Sequence, residues 1–308
     1  MRYTNLLGVG LVVCLLLLVG GVSAQSDFSD EELEWIEIVS DAFDNMADVE
    51  SYSVIVDQTL AQEITSGSGR SAVQVTNDLT QRIEMQVEQG EEGWNFNAVI
   101  EQDITASTGS VDSELHMTLE MIALDGEVYV HAAEVSPRSL ASSFPEEWIN
   151  LDDDGSRYPA LSALSAVSPD ALYNSTVALT VNEDVVLSIA EADSDEIDDQ
   201  TMRVFEVEYD SQAMLESDAM AAIVDAVAGM MRGIDFEDLI SQMAEGSALS
   251  FTVWIGEDDG LVHRLDSLLL IDAEVEFMST SFEMVQTTES SAIYADFGRD
   301  FNVQEPDF

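Results

Sequence analysis

Lysine is absent from this chain of 308 residues, so its few cations are all arginine, 9 against 62 Asp plus Glu. The resulting net charge of −53 repels polyanions, which excludes a nucleic-acid partner and strong binding to anionic membrane surfaces. Only one cysteine is present, Cys14, and it lies in the leader described below. With the leader removed no thiol remains, so disulfides, zinc–thiolate sites and cysteine catalysis drop out and stability rests on packing. Histidine is scarce as well: His116, His131 and His263 fall on separate strand-like segments and no HExxH helix accompanies them. Neither a GxSxG elbow nor a phosphate loop occurs, and among so many carboxylates no acid pair stands out. The sequence therefore reads as noncatalytic, with no cofactor and no metal. The acidic turns Asp152–Asp154 and Asp193–Glu196 lack the EF-hand ligand spacing and read as solvated; Asn174-Ser175-Thr176 matches a glycosylation acceptor, a pattern common by chance.

What is present is enough apolar material for a core, 46% of residues. The acidic excess reads as a solvated surface adapted to a salty exterior, where counterions screen its self-repulsion. At the amino end, Arg2 precedes the apolar run Leu6 to Val22 and then Val22-Ser23-Ala24, small residues placed for export cleavage after Ala24. The alternative is that residues 6–22 stay as a membrane anchor. Either way the chain is extracytoplasmic: secreted, periplasmic or on the cell surface.

The stretch from Ser71 to Val87 organises the rest. From Val73 on, its odd positions are apolar apart from Asn77 and Gln81, and its even positions are polar apart from Ala72. Side chains alternate along a strand, so this is one long strand with one apolar face. At ~3.3 Å per residue it spans roughly 55 Å, which requires bending or twisting around something. Before it, Ser29 to Met46 reads as a capped amphipathic helix and Ser51 to Leu60 as a strand. After it come strands through Trp94, Phe96, Ala98, Ile100 and Ile104, then through Leu115, Met117, Leu119 and Met121, then Glu127 to His131 beyond the Asp125-Gly126 turn. Consecutive strands that are apolar on one side form an antiparallel meander with a single dry face. Ala132 to Tyr173, punctuated by prolines, is an ordered excursion with one or two short helices. Strands follow at Val185 to Ala192 and Met202 to Tyr209. Ser211 to Ile234 is a Met-rich helix whose stripe holds Met220, Ile223, Val224, Val227 and Met231, and Phe236 to Ala244 is a second. Strands Phe251 to Ile255, Leu261 to Phe277, Phe282 to Val285 and Ile293 to Phe297 close the chain. His263, beside Arg264, reads as standing on a wet surface.

Several of these pieces, in their order, are familiar: Val49-Glu50-Ser51-Tyr52, Asp125-Gly126-Glu127-Val128-Tyr129-Val130, Phe251-Thr252-Val253-Trp254-Ile255 with Asp259-Gly260-Leu261-Val262, and Tyr294-Ala295-Asp296-Phe297 with Val303 and Pro306. The sequence resembles the LolA-like superfamily of extracytoplasmic lipoprotein and lipid carriers, above all its LppX/LprG branch. That resemblance implies an α+β fold: a long, strongly curved antiparallel sheet, a half-barrel, with helices packed on its concave apolar face and acyl chains held between. The branch is usually lipid-anchored through a cysteine at the cleavage site. This chain has none there, which argues against tethering by acylation.

The expectation is one domain over 25–308 that binds a hydrophobic small molecule, a lipid or lipoprotein acyl chains, in an apolar cavity between sheet and helices. The candidate lining is Val75, Leu79, Ile83, Met85, Trp94, Phe96, Ile100, Leu115, Met117 and Leu119 on the strands, with Met220, Ile223, Val224, Val227 and Met231 on the helix. The rival is an envelope or surface protein with a filled core that acts through protein contacts; a hydrolase built on an unrecognised carboxylate pair is the weaker third reading.

Overall fold

The computed structural model describes residues 28–67, 72–90, 93–109, 111–158, 161, 181–210, 242, 246–277 and 280–306. The leader, the Met-rich helix, the helix expected after it apart from residue 242, and the glycosylation sequence lie outside these residues. Among the described residues no helix is long and apolar enough to cross a membrane.

One helix leads in, α1 (Asp30–Ala47), and it starts where the sequence says it should. The Ser29 hydroxyl accepts from the Glu32 amide at 3.3 Å while the Ser29 amide donates to the Glu32 carboxylate at 2.7 Å, a reciprocal pair that occupies donors the first turn would leave unmet. The acidic first turn suits the positive end of the helix, and Ile36, Val39, Ala42, Phe43 and Met46 are buried.

Among the described residues, every strand after α1 belongs to one open antiparallel sheet. Its strands are β1 (Ser51–Ser66), β2 (Val73–Gln89), β3 (Trp94–Thr108), β4 (Val111–Leu124), β5 (Glu127–Ser136), β6 (Ile149–Asn150), β7 (Val186–Glu191), β8 (Asp195–Ile197), β9 (Gln200–Tyr209), β10 (Ser247–Gly256), β11 (Val262–Phe277) and β12 (Thr280–Ala295). The order across the sheet is β6-β5-β4-β3-β2-β1-β12-β11-β10-β9-β7, with β8 paired to β9. Two meanders therefore meet where the last strand returns beside the first. Between β4 and β5 the two-residue loop Asp125-Gly126 has both φ angles positive, 51° and 82°, the backbone that matches strand twist in a tight hairpin. Two four-residue helices, α2 (Arg138–Ala141) and α3 (Leu151–Asp154), sit in the excursion after β5.

Four expectations need correction. The last two strands are one, β12, because the polar run from Gln286 to Ser291 is held by β1 on one side and β11 on the other; ladder hydrogen bonds replace the missing apolar signal. β1 runs on to Ser66 for the same reason, paired on both edges past Leu60. The acidic turn at 193–196 contributes a short strand, β8, whose Asp195 carboxylate accepts from the Trp254 indole at 3.1 Å. His263 is not on a wet surface. The register shifts beside it, between Trp254 and Ile255, and the extra residue turns its ring inward, 12% exposed, against Phe297 and onto the Asp259 carboxylate at 3.0 Å.

Candidate functional site

The two faces of the sheet differ in kind. On β1 to β4 and β10 to β12 every Asp, Glu and Arg occupies one face, here the outer. The inner face, in phase with Tyr52, Val54 and Val56, carries no charged side chain along these strands. In a chain so rich in carboxylates that segregation has a physical cause: an ionised group taken out of water without a partner is costly enough to be excluded. α1 packs over this face at β7, β10 and β11, with the Phe43 ring edge-on to Phe251 at 6.4 Å and Tyr209 beside it.

The register brings the strand candidates together. Val56, Ile83, Ile100 and Leu119 form one row across β1, β2, β3 and β4, and Leu60, Leu79, Ile104 and Leu115 form another four residues away along each strand. Met85 lies in the row Val54–Met85–Ala98–Met121, and Phe96 in the row Tyr52–Val87–Phe96–Ala123. Leu79, Phe96, Leu115, Met117 and Leu119 are buried in the main apolar cluster, and Met85, Trp94 and Ile100 pack against it half-buried. Val75 and Ile83 are half-buried on the same face. Met220, Ile223, Val224, Val227 and Met231 lie outside the described residues.

The face is not uniformly apolar. Between the two rows just named runs a third, Ser267–Ser290–Gln58–Gln81–Gln102–Met117, in which the Gln102 amide donates to the Gln81 amide oxygen. Beyond the Leu60 row runs a second polar row, Gln286–Gln62–Asn77. There Asn77 donates to Gln62 at 2.9 Å, Gln62 to Gln286 at 2.7 Å and Gln286 to Thr288 at 3.2 Å. Gln102, Gln286 and Thr288 are buried. Sequence reasoning registered Asn77 and Gln81 only as exceptions and missed Gln58, Gln62, Gln102, Gln286 and Thr288. For Gln58, Gln62 and Gln102 the available signal was phase: each is an uncharged polar residue whose neighbours two residues away are apolar, whereas Gln286 and Thr288 neighbour each other and gave no such signal.

A trough of about 710 Å3, open to solvent, crosses the other face. Its lining includes the register row Thr252–Asp266–Ser291–Asp57–Arg82–Glu101. Arg82 bridges Asp57 and Glu84 at 2.9 Å each, and Arg264 bonds Asp266 at 2.6 Å. These carboxylates hold both guanidinium groups above their ordinary pKa. Among the described residues no group of three or more His, Cys, Asp or Glu is placed to hold a metal ion.

No protein-family model matches the chain, and no curated protein does. Among solved structures, the chain is similar to LppX and LprF. The Mycobacterium tuberculosis lipoprotein LppX shares 13% identity over 90% of this chain and 100% of its own, with a TM-score of 0.36. LprF from Mycobacterium bovis shares 12% over 89% and 97%, with a TM-score of 0.39. A Vibrio parahaemolyticus domain described as an outer membrane lipoprotein-sorting protein shares 8% over 88% and 94%, at 0.24. Where a ligand would sit in this chain is a question for its own register and burial.

Proposed function

We propose that the protein is an exported, noncatalytic carrier that holds a hydrophobic ligand, a lipid or the acyl chains of a lipoprotein, against the inner face of its sheet. The observation that carries this reading is the exclusion of charge from that face along β1 to β4 and β10 to β12 in a chain of net charge −53; at its β9–β7 edge the face carries the paired Arg203 and Glu191. Each methylene moved from water onto such a wall gains about 0.8 kcal/mol, so chain length alone supplies affinity. In this reading residues 25–308 form one domain and the sheet is bent into a half-barrel. The ten strand candidates, from Val75 to Leu119, are the wall the ligand touches.

One observation favours the rival. Leu79 and Leu115 are 5% exposed and Met117 and Leu119 only 1%, as they would be in a filled core. Titration with an apolar fluorescent probe separates the two. The carrier predicts saturable uptake at about one probe per chain, displaced by long-chain lipids; a filled core predicts weak, non-saturating fluorescence that lipids leave unchanged.

A further inference from the structure

Gln102 is 2% exposed and stands on the inner face, in the middle of an uncharged wall. Its Nε2 donates to Gln81 Oε1, but its own Oε1 has no hydrogen-bond partner among the described residues. The second polar row differs. There the amides of Asn77, Gln62 and Gln286 pass hydrogen bonds in one direction and end on the Thr288 hydroxyl. The first row stops at Gln102, because its neighbour in register on β4 is Met117, which offers no donor. Buried polar atoms are nearly always paired, so an acceptor left without a partner calls for a group that would satisfy it. The apolar rows of Ile100 and Ile104 flank it, each ~7 Å away along the strand.

Resting on the carrier reading above, we propose that the preferred ligand is a lipid bearing a hydroxyl group along its hydrocarbon chain, and that Gln102 receives this hydroxyl. The chain lies on the rows of Ile83 and Leu79, and the hydroxyl donates to Gln102 Oε1 in the band between them. A carboxylate is the wrong group, since it brings only acceptors and a charge to an acceptor on a neutral wall. A hydroxyl both donates and accepts, so it serves whichever way the amide is turned.

The test is displacement of an apolar fluorescent probe from the full protein by methyl stearate and by a series of methyl hydroxystearates with the hydroxyl at different depths. In an ordinary dry pocket the hydroxyl weakens binding, because it must leave water for nothing. The proposal predicts the opposite order: at least one hydroxy ester binds roughly tenfold more tightly than methyl stearate, and Gln102→Leu reverses that order. The wild-type ranking decides the matter even if the variant fails to fold. Methyl stearate binding as tightly as every hydroxy ester, or tighter, overturns the proposal and leaves the carrier reading standing. A preference that survives Gln102→Leu also overturns it, since the hydroxyl is then met elsewhere. If no ester displaces the probe, the carrier reading falls and this inference with it.

Discussion

Added salt is predicted to stabilise this protein, by an amount that follows from its surface. The chain exposes 16263 Å2 and carries 53 uncompensated negative charges, so neighbouring excess charges stand on the order of 17 Å apart, against a Debye length of about 10 Å in 0.1 M salt and about 3 Å in 1 M. At that spacing two unit charges repel by about 0.25 kcal/mol in water, reduced to about 0.05 kcal/mol in 0.1 M salt and almost nothing in 1 M. Over roughly 150 neighbouring pairs the repulsion is about 7 kcal/mol in 0.1 M salt and under about 1 kcal/mol in 1 M. The unfolded chain also keeps part of it, which leaves a net gain on the order of 2–4 kcal/mol. Among the described residues, Arg82, Arg157, Arg203, Arg264 and Arg299 are already engaged with carboxylates. At about 2–4 °C per kcal/mol, Tm should climb by roughly 5–15 °C between 0.1 M and 1 M NaCl. Circular-dichroism melts along a NaCl series at constant pH measure it. Screening saturates near 1 M, whereas salting-out continues to rise. A flat Tm, or a rise that begins only above about 1 M, refutes the reasoning.

Two further predictions concern the ends of the sheet. Glu88 accepts the backbone amides of Phe301, Asn302 and Val303 at 3.2, 3.0 and 3.0 Å; Glu88→Ala should free the carboxyl-terminal tail, cost about 2 kcal/mol, and speed its removal in limited proteolysis, and an unchanged cleavage rate contradicts this anchoring. Burial pulls the Asp259 carboxyl upward, but hydrogen bonds from the Leu261 amide, Gln200 and His263 outweigh it and hold the group below its ordinary 3.8. Because the folded value is depressed, its contribution is present above the unfolded pKa and lost as pH falls through the folded one. Urea midpoints should hold or rise from pH 7 to about 5 as repulsion is relieved, then fall below about pH 4. Asp259→Asn should make that fall shallower, and a midpoint that rises steadily into acid contradicts the assignment.

How much could be read beforehand depended on what each strand puts inward. β2, β3 and β4 place Ile83, Ile100 and Leu119 on one side and Glu84, Glu101 and Glu120 on the other, so period-two alternation gave element, face and pairing together. β12 was legible at its ends, where Phe282, Met284, Ala292 and Tyr294 keep phase, and illegible in the middle, where Gln286, Thr288 and Ser290 occupy the inner side. Hydropathy alone counts an inward glutamine as a break in the pattern, although in the sheet it is one rung of a row running from strand to strand. β8 escaped notice because three residues cannot establish a period. The helix cap at Ser29 was legible because its signal is local and chemical: a hydroxyl three residues ahead of a carboxylate.

The central claim, that the uncharged inner face holds an acyl ligand, meets its most direct test in the protein as isolated. Native mass spectrometry of gently purified chain, with organic extraction and identification of whatever accompanies it, should find a lipid near one equivalent that leaves on extraction. Protein recovered at its bare mass, with no lipid in the extract and none taken up on incubation, would contradict the account.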